Sequence, residues 1–180
     1  MSLKDQTKEM HDEAENTAFM KAIFSKSLPM NLWVDYTYQK ALWYLAIEER
    51  ADQLGLLDDL AGIKRFDLIM EDYHEMKQGD NTINVYDPYT TEYSNYIRAL
   101  TDPEKVLAHL YVWHMGDMFG GQMIKKTVIA PHRHLEFDNL KELMTNLRVK
   151  LNDTMADEAN HAFAMAINIL RTYDGRLEQS

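Results

Sequence analysis

Cysteine is absent from the 180-residue chain, which excludes disulfides, thiolate metal sites and a cysteine nucleophile and suits a reducing compartment. No stretch approaches the roughly 18 uninterrupted apolar residues of a membrane span, and the opening MSLKDQTKEM lacks the apolar core of a signal peptide. A soluble, cytoplasmic protein without a membrane anchor is expected. Basic side chains are in deficit, 19 Lys and Arg against 29 Asp and Glu, for a formal charge of -10. That balance argues against general nucleic-acid binding, which needs a basic surface. Strand-like alternation of useful length, internal repeats and low-complexity tracts are also missing.

What is present favours helices. Twelve Met, ten Tyr and three Trp suggest an adaptable, aromatic-rich interior. The length suits one compact domain, residues 1–180, with a sizeable core. The expected fold class is all-α, with seven or eight helices. Ser2 and Asp5 resemble a capping box, so a helix should begin at Leu3. Along it Leu3, Thr7, His11, Ala14 and Ala18 recur at spacings of three and four, which puts His11 on the inward face. Glu15, one turn on, can hold one imidazole nitrogen and leave the other for a metal; a satisfied core histidine is the alternative.

After a turn at Pro29 and Asn31, the residues Leu32, Tyr36, Trp43, Ile47 and Leu54 mark a second helix ending near Gly55. Residues 64–77 form another, and the polar stretch 79–90, GDNTINVYDPYT, is expected to be a long loop. Residues 92–100 make a short helix, and Asp102 with Pro103 launches the next, which Pro131 stops. His132 and His134 follow in a PHRH loop, at a metal-compatible spacing or merely exposed. Residues 139–151 and 155–173 complete the set, the last preceded by Thr154 and followed by Gly175.

The helix begun at Pro103 carries Gly116, Gly120 and Gly121 in its middle, each costing about 1 kcal/mol relative to Ala. Gly116 and Gly120 share one face. Either another helix packs closely there, or a flat ligand lies against bare backbone. Asp117 would be costly on a packed face unless hydrogen-bonded. A rival constellation is the pair of E-x-x-H motifs, Glu71 with His74 and Glu158 with His161. With Glu48 or Glu49 and Glu136 or Glu142 they would make a di-iron carboxylate site in a helix bundle.

Two segments, LKDQTKEMHDEAENTAFM at residues 3–20 and GDMFGGQMIKK at residues 116–126, resemble the heme oxygenases, whose patterns are H-x-x-A-E near the N-terminus and G-D-x-S-G-G-Q far downstream. LAIEER at residues 45–50 and the segment 146–168 extend the similarity. The resemblance implies heme b, substrate and cofactor at once, held between the N-terminal helix and a kinked glycine-bearing helix. By position His11 matches the proximal iron ligand and Glu15 its support. Gly116, Gly120 and Gly121 match the distal glycines, Asp117 the carboxylate of a distal water network, and Tyr44 and Tyr96 its phenols. Lys4, Tyr111 and Arg148 match groups near the heme propionates.

The implied reaction cleaves heme at a meso carbon to biliverdin IXα, carbon monoxide and ferrous iron, using O2 and seven electrons from an external donor such as ferredoxin. Lys4, Lys8, Lys125, Lys126 and Arg148 would offer that donor a basic rim. The chain departs from the family pattern at Phe119, in place of serine, at Trp113, in place of arginine, and at His114, in place of tyrosine; Met144 replaces a lysine near the propionate arginine. His114 is expected to face the core. A heme-binding or heme-delivery protein without turnover is the second reading these departures motivate.

Overall fold

In the computed structural model, which describes residues 1–78 and 87–179, nine α-helical segments occur among the described residues, with no strand. They are α1 (Leu3–Glu15), α2 (Ala18–Phe24), α3 (Met30–Gln53), α4 (Phe66–Met76), α5 (Pro88–Arg98), α6 (Pro103–Leu110), α7 (Gly116–Thr127), α8 (Leu140–Arg148) and α9 (Ala156–Leu177). A π-helical turn, Tyr111–Met115, joins α6 to α7 with helical dihedrals at both junctions. The nine segments therefore form eight rods.

Local chemistry sets most boundaries. The Ser2 and Asp5 capping box is formed, with Asp5 N–H donating to Ser2 Oγ at 3.2 Å and Ser2 N–H to Asp5 Oδ2 at 3.3 Å. Asp102 caps α6 by accepting from Glu104 N–H at 3.0 Å. The same Asp-Pro signature recurs one helix earlier: Asp87 accepts from Tyr89 N–H at 2.9 Å, and α5 starts at Pro88. The long-loop expectation for residues 79–90 thus fails for 88–90, while 79–86 lie outside the described residues. At Gly55, φ is +70°, and Leu56 N–H reaches back to Ala51 C=O at 2.9 Å, closing α3.

Other boundaries depart from expectation. The first periodic run is two helices, because Thr17 takes an extended conformation and caps α2 through Met20 N–H. Asn31 lies inside α3 rather than in a turn. α9 begins after a short 3-10 turn capped by Asn152, and it runs through Gly175, whose added Cβ would meet nothing within 4 Å.

α3 is the central rod. Its Trp43, Tyr44, Ala46 and Ile47 are fully buried, and α4, α5 and α6 pack around it. Each large apolar side chain so buried contributes about 1.5–3 kcal/mol. α9 closes the other side against α1, α2, α5 and α6. None of the described helices is long and apolar enough to cross a membrane. This scaffold holds α1 and the α6–α7 rod within reach of each other, joined where Thr7 Oγ1 meets Tyr111 Oη at 3.2 Å.

Candidate functional site

The three glycines divide between the two roles that compete for them. A Cβ built on Gly116 or Gly120 would meet nothing within 4 Å, whereas one on Gly121 would lie 3.0 Å from Leu135 Cδ2. Gly121 therefore admits a packed neighbour, and Gly116 and Gly120 line open space. Gln122 fixes that arrangement, donating to Asp117 C=O at 3.2 Å and to Leu135 C=O at 2.9 Å. Phe119 and Met123 flank the bare face and are more than half exposed. The expected irregularity of this helix lies in the π turn just before Gly116, and α7 itself is regular. A π turn adds a residue and shifts the rod's register ahead of the open face.

His11 corrects an expectation: half of its side chain is exposed, so it does not face the core. On α1 only Leu3 and Thr7 are buried, and Ala18 belongs to α2. The imidazole is held by its helix neighbours, Nε2 lying 3.5 Å from Glu15 Oε1 and Nδ1 3.4 Å from Asp12 Oδ1. Phe163 of α9 meets the ring edge-on at 5.8 Å. His11, Asp12 and Glu15 form a group able to hold a metal among the described residues. Of these three side chains only His11 offers a ring nitrogen, the kind of donor that transition metals such as iron accept.

Asp117 is buried and doubly engaged. Lys40 Nζ donates to Oδ1 at 2.9 Å, and Tyr44 Oη donates to Oδ2 at 2.6 Å. Burial, then the Asp117 charge, push the Tyr44 phenol well above its usual range, so it remains a donor. One turn further along α3, Glu48 accepts from His114 Nε2 at 2.8 Å, from Arg65 N–H at 2.7 Å and from Phe66 N–H at 3.1 Å. His114 thus faces the core, as expected. Lys40 was not anticipated. Its signal is spacing: Lys40, Tyr44 and Glu48 repeat every four residues as a polar stripe on an otherwise buried helix.

His134 is buried, not exposed as its loop suggested: Nδ1 lies 2.6 Å from Asp72 Oδ2. Burial pushes its pKa down. Asp72 also accepts from His134 N–H and from Arg133, so a short 3-10 turn is pinned to α4.

Tyr96 is not brought to Asp117. Its hydroxyl donates to Glu158 Oε1 at 2.6 Å, and its ring contacts those of His109 and His161. Lys4, Tyr111 and Arg148 come from elements that meet at the π turn: Thr7, which follows Lys4 by one turn, contacts Tyr111, and α8, which ends at Arg148, packs on the same turn. Lys4 and Arg148 are exposed and make no ion pair among the described residues. Lys8 is paired with Asp12, which removes one cation from the expected rim.

The di-iron constellation is overturned by geometry. Glu71 and His74 lie on α4, exposed, in a surface cleft with Glu75, Gln78 and Arg133. Glu158 is engaged on α9 by Tyr96 and His109, while Glu48 is used by His114 and backbone donors. The two motifs share no metal-capable cluster among the described residues.

An all-α protein with a glycine-bared helix face, and an accessible, carboxylate-supported histidine on a helix that meets the same rod at Tyr111, is a class of fold and site with known members. The heme oxygenase family model matches residues 1–147, and the chain belongs to that family. It is 26% identical to rabbit (Oryctolagus cuniculus) heme oxygenase 2 over 207 aligned positions, covering 96% of this chain and 65% of that protein. The chain thus spans just under two thirds of the mammalian heme oxygenase 2 relatives. Heme oxygenase 1 of Synechocystis sp. PCC 6803 is 24% identical over 213 positions, covering 97% of this chain and 84% of the relative. Among solved structures, Synechocystis heme oxygenase-1 in complex with heme matches with a TM-score of 0.85 at 23% identity, covering 98% and 92% of the two chains. The Leptospira interrogans heme oxygenase matches with a TM-score of 0.77 at 21% identity, covering 94% and 98%.

Proposed function

We propose that the chain, acting as one domain over residues 1–180, is a catalytically active heme oxygenase that cleaves heme b to biliverdin IXα, carbon monoxide and ferrous iron. The observation that carries this reading is the open space over Gly116 and Gly120, on the rod that abuts the helix bearing the accessible His11. Family membership and likeness to a structure in complex with heme support it. The residues fit the ligand: an imidazole for iron, bare backbone for a flat macrocycle, and Lys4, Arg148 and Tyr111 for its carboxylates.

Heme, as the substrate, supplies the iron at which dioxygen is reduced and the meso carbon that is oxidised. His11 binds, and Glu15 orients its ring. Gly116 and Gly120 leave room for dioxygen, and the buried glycine Gly121 fixes the helix that presents them. Asp117, anchored by Lys40 and Tyr44, keeps lone pairs free to order water and pass protons on the distal side. Tyr96, hydrogen-bonded to Glu158 and not to Asp117, lies outside that network. An external donor, an acidic ferredoxin in this reading, docks against the exposed cations Lys4, Lys126 and Arg148 in the cytoplasm.

The test is to mix the purified chain with hemin, then add ferredoxin, its reductase and NADPH in air. Loss of the Soret band with release of biliverdin and carbon monoxide is expected. Persistent bound heme without biliverdin would replace this reading with a heme-binding or heme-delivery role.

A further inference from the structure

The departure at Trp113 has a partner deeper in the core. Trp113 Nε1–H donates to the Tyr93 hydroxyl oxygen at 2.8 Å. An indole nitrogen only donates, so the phenolic hydrogen of Tyr93 is directed elsewhere, and His109 Nδ1 lies 2.6 Å away to accept it. That contact places the remaining imidazole hydrogen on Nε2, which is 2.9 Å from Glu158 Oε1. Glu158 also accepts from Tyr96 at 2.6 Å. The result is a one-directional chain, Trp113 to Tyr93 to His109 to Glu158, drawn from the π turn, α5, α6 and α9.

Tyr93 and His109 are fully buried. Burial pushes the phenol up and the imidazole down, so both rest neutral. His161, the other imidazole here, faces the cluster through Tyr96. Two more buried phenols, Tyr44 and Tyr173, hand their protons to carboxylates already paired with Lys40 and Arg176. An imidazole is the stronger base by about 2–3 pKa units. Tyr93 is also electronically connected: its ring lies 6.4 Å from that of Trp113, which is 4.8 Å from Trp43 and 6.1 Å from Tyr44, beside Asp117.

We propose that Tyr93, His109 and Glu158 form a proton-coupled one-electron oxidation site, linked through Trp113 and Tyr44 to Asp117, next to the open face at Gly116. In the step, Tyr93 gives one electron to an oxygen-centred radical such as hydroxyl, which is reduced to hydroxide. Its O–H bond breaks, and the proton forms a new bond to His109 Nδ1. The products are a neutral tyrosyl radical and an imidazolium whose charge is offset by the Glu158 carboxylate; no atom leaves. Return of one electron from the external donor that the proposed activity already requires sends the proton back along the same hydrogen bond. Resting on the heme oxygenase reading, the site's use is to drain stray oxidants formed when dioxygen reduction in the cleft misfires, sparing the methionine-rich core.

The test needs no heme. Flash-photogenerated tris(bipyridine)ruthenium(III) oxidises the full-length apoprotein, followed by electron paramagnetic resonance. A long-lived neutral tyrosyl radical is expected, hydrogen-bonded to a cation and formed with a solvent deuterium isotope effect. Tyr93→Phe should abolish it. Because that variant can misfold, 3-fluorotyrosine placed at position 93, nearly isosteric, provides the second arm and should change the hyperfine splitting. No long-lived radical in the wild type, or a spectrum unaltered by the fluorine, overturns the proposal. A Tyr93 radical in a chain that fails to cleave heme would leave this site standing and remove the activity.

Discussion

Lys40→Met isolates the buried ion pair that anchors Asp117. The Lys40 and Asp117 side chains are 5% and 9% exposed, with 2.9 Å between their charged atoms. Removing one partner of such a buried pair costs about 3–5 kcal/mol, because the other charge is left uncompensated. In a chain of this size each kcal/mol lowers Tm by roughly 2–4 °C, so a drop of about 6–20 °C is expected. Replacing both partners, as in Lys40→Met with Asp117→Leu, removes the stranded charge and should recover most of the loss. The Tyr44 hydroxyl would then lack its acceptor, at about 1–3 kcal/mol, and adding Tyr44→Phe should recover that as well. The assay is thermal and urea denaturation of the heme-free proteins, assembled as a mutant cycle. A Lys40→Met protein within about 1 kcal/mol of wild type would refute the reasoning, since the pair would then be solvated.

Gly120→Ala should stabilise the heme-free chain by about 1 kcal/mol through helix propensity, whereas Gly121→Ala, which meets the buried Leu135, should fall about 1–3 kcal/mol below it; equal stability of the two would contradict the assignment of open and packed faces. His11→Ala, at an exposed position, should change stability by no more than about 0.5 kcal/mol yet lose the histidine-ligated heme spectrum, which added imidazole should restore. An unchanged spectrum would show that iron is bound elsewhere. Acid should weaken the fold early: burial holds His109 and His134 below their usual pKa, so the unfolded chain takes up protons near pH 6.5 that the folded chain refuses. Stability should therefore decline as pH falls from about 7 toward 5, and His134→Gln should flatten that slope.

Helix caps and breaks were readable where side chains act within four residues. Ser2 with Asp5, Asp102 with Pro103, and Gly55 each show their effect locally. Asp87 and Pro88 carried the same signal, obscured by the polar stretch before them. The candidate site was readable in part. Gly116 and Gly120 stand out because glycine is costly inside a helix, but whether they face a neighbour or a cleft depends on packing that no local pattern contains. His11 sits at an inward-looking register, yet α9 meets its ring only edge-on, through Phe163, and leaves half of the side chain exposed. Lys40 and His134 were harder still, since a lysine on an apolar helix and a histidine in a polar loop owe their burial to partners 77 and 62 residues distant. The family departures at Trp113 and His114 gained meaning only from their acceptors, Tyr93 and Glu48.

The proposed function places heme on the bare face of α7. Titrating hemin into the wild-type and Gly120→Leu proteins while following the Soret band measures whether it does. One heme per chain is expected for the wild type. Gly120→Leu should be at least as stable when heme-free, because its side chain enters open space, yet bind hemin far more weakly. A Gly120→Leu protein that binds hemin as tightly as the wild type would contradict the account.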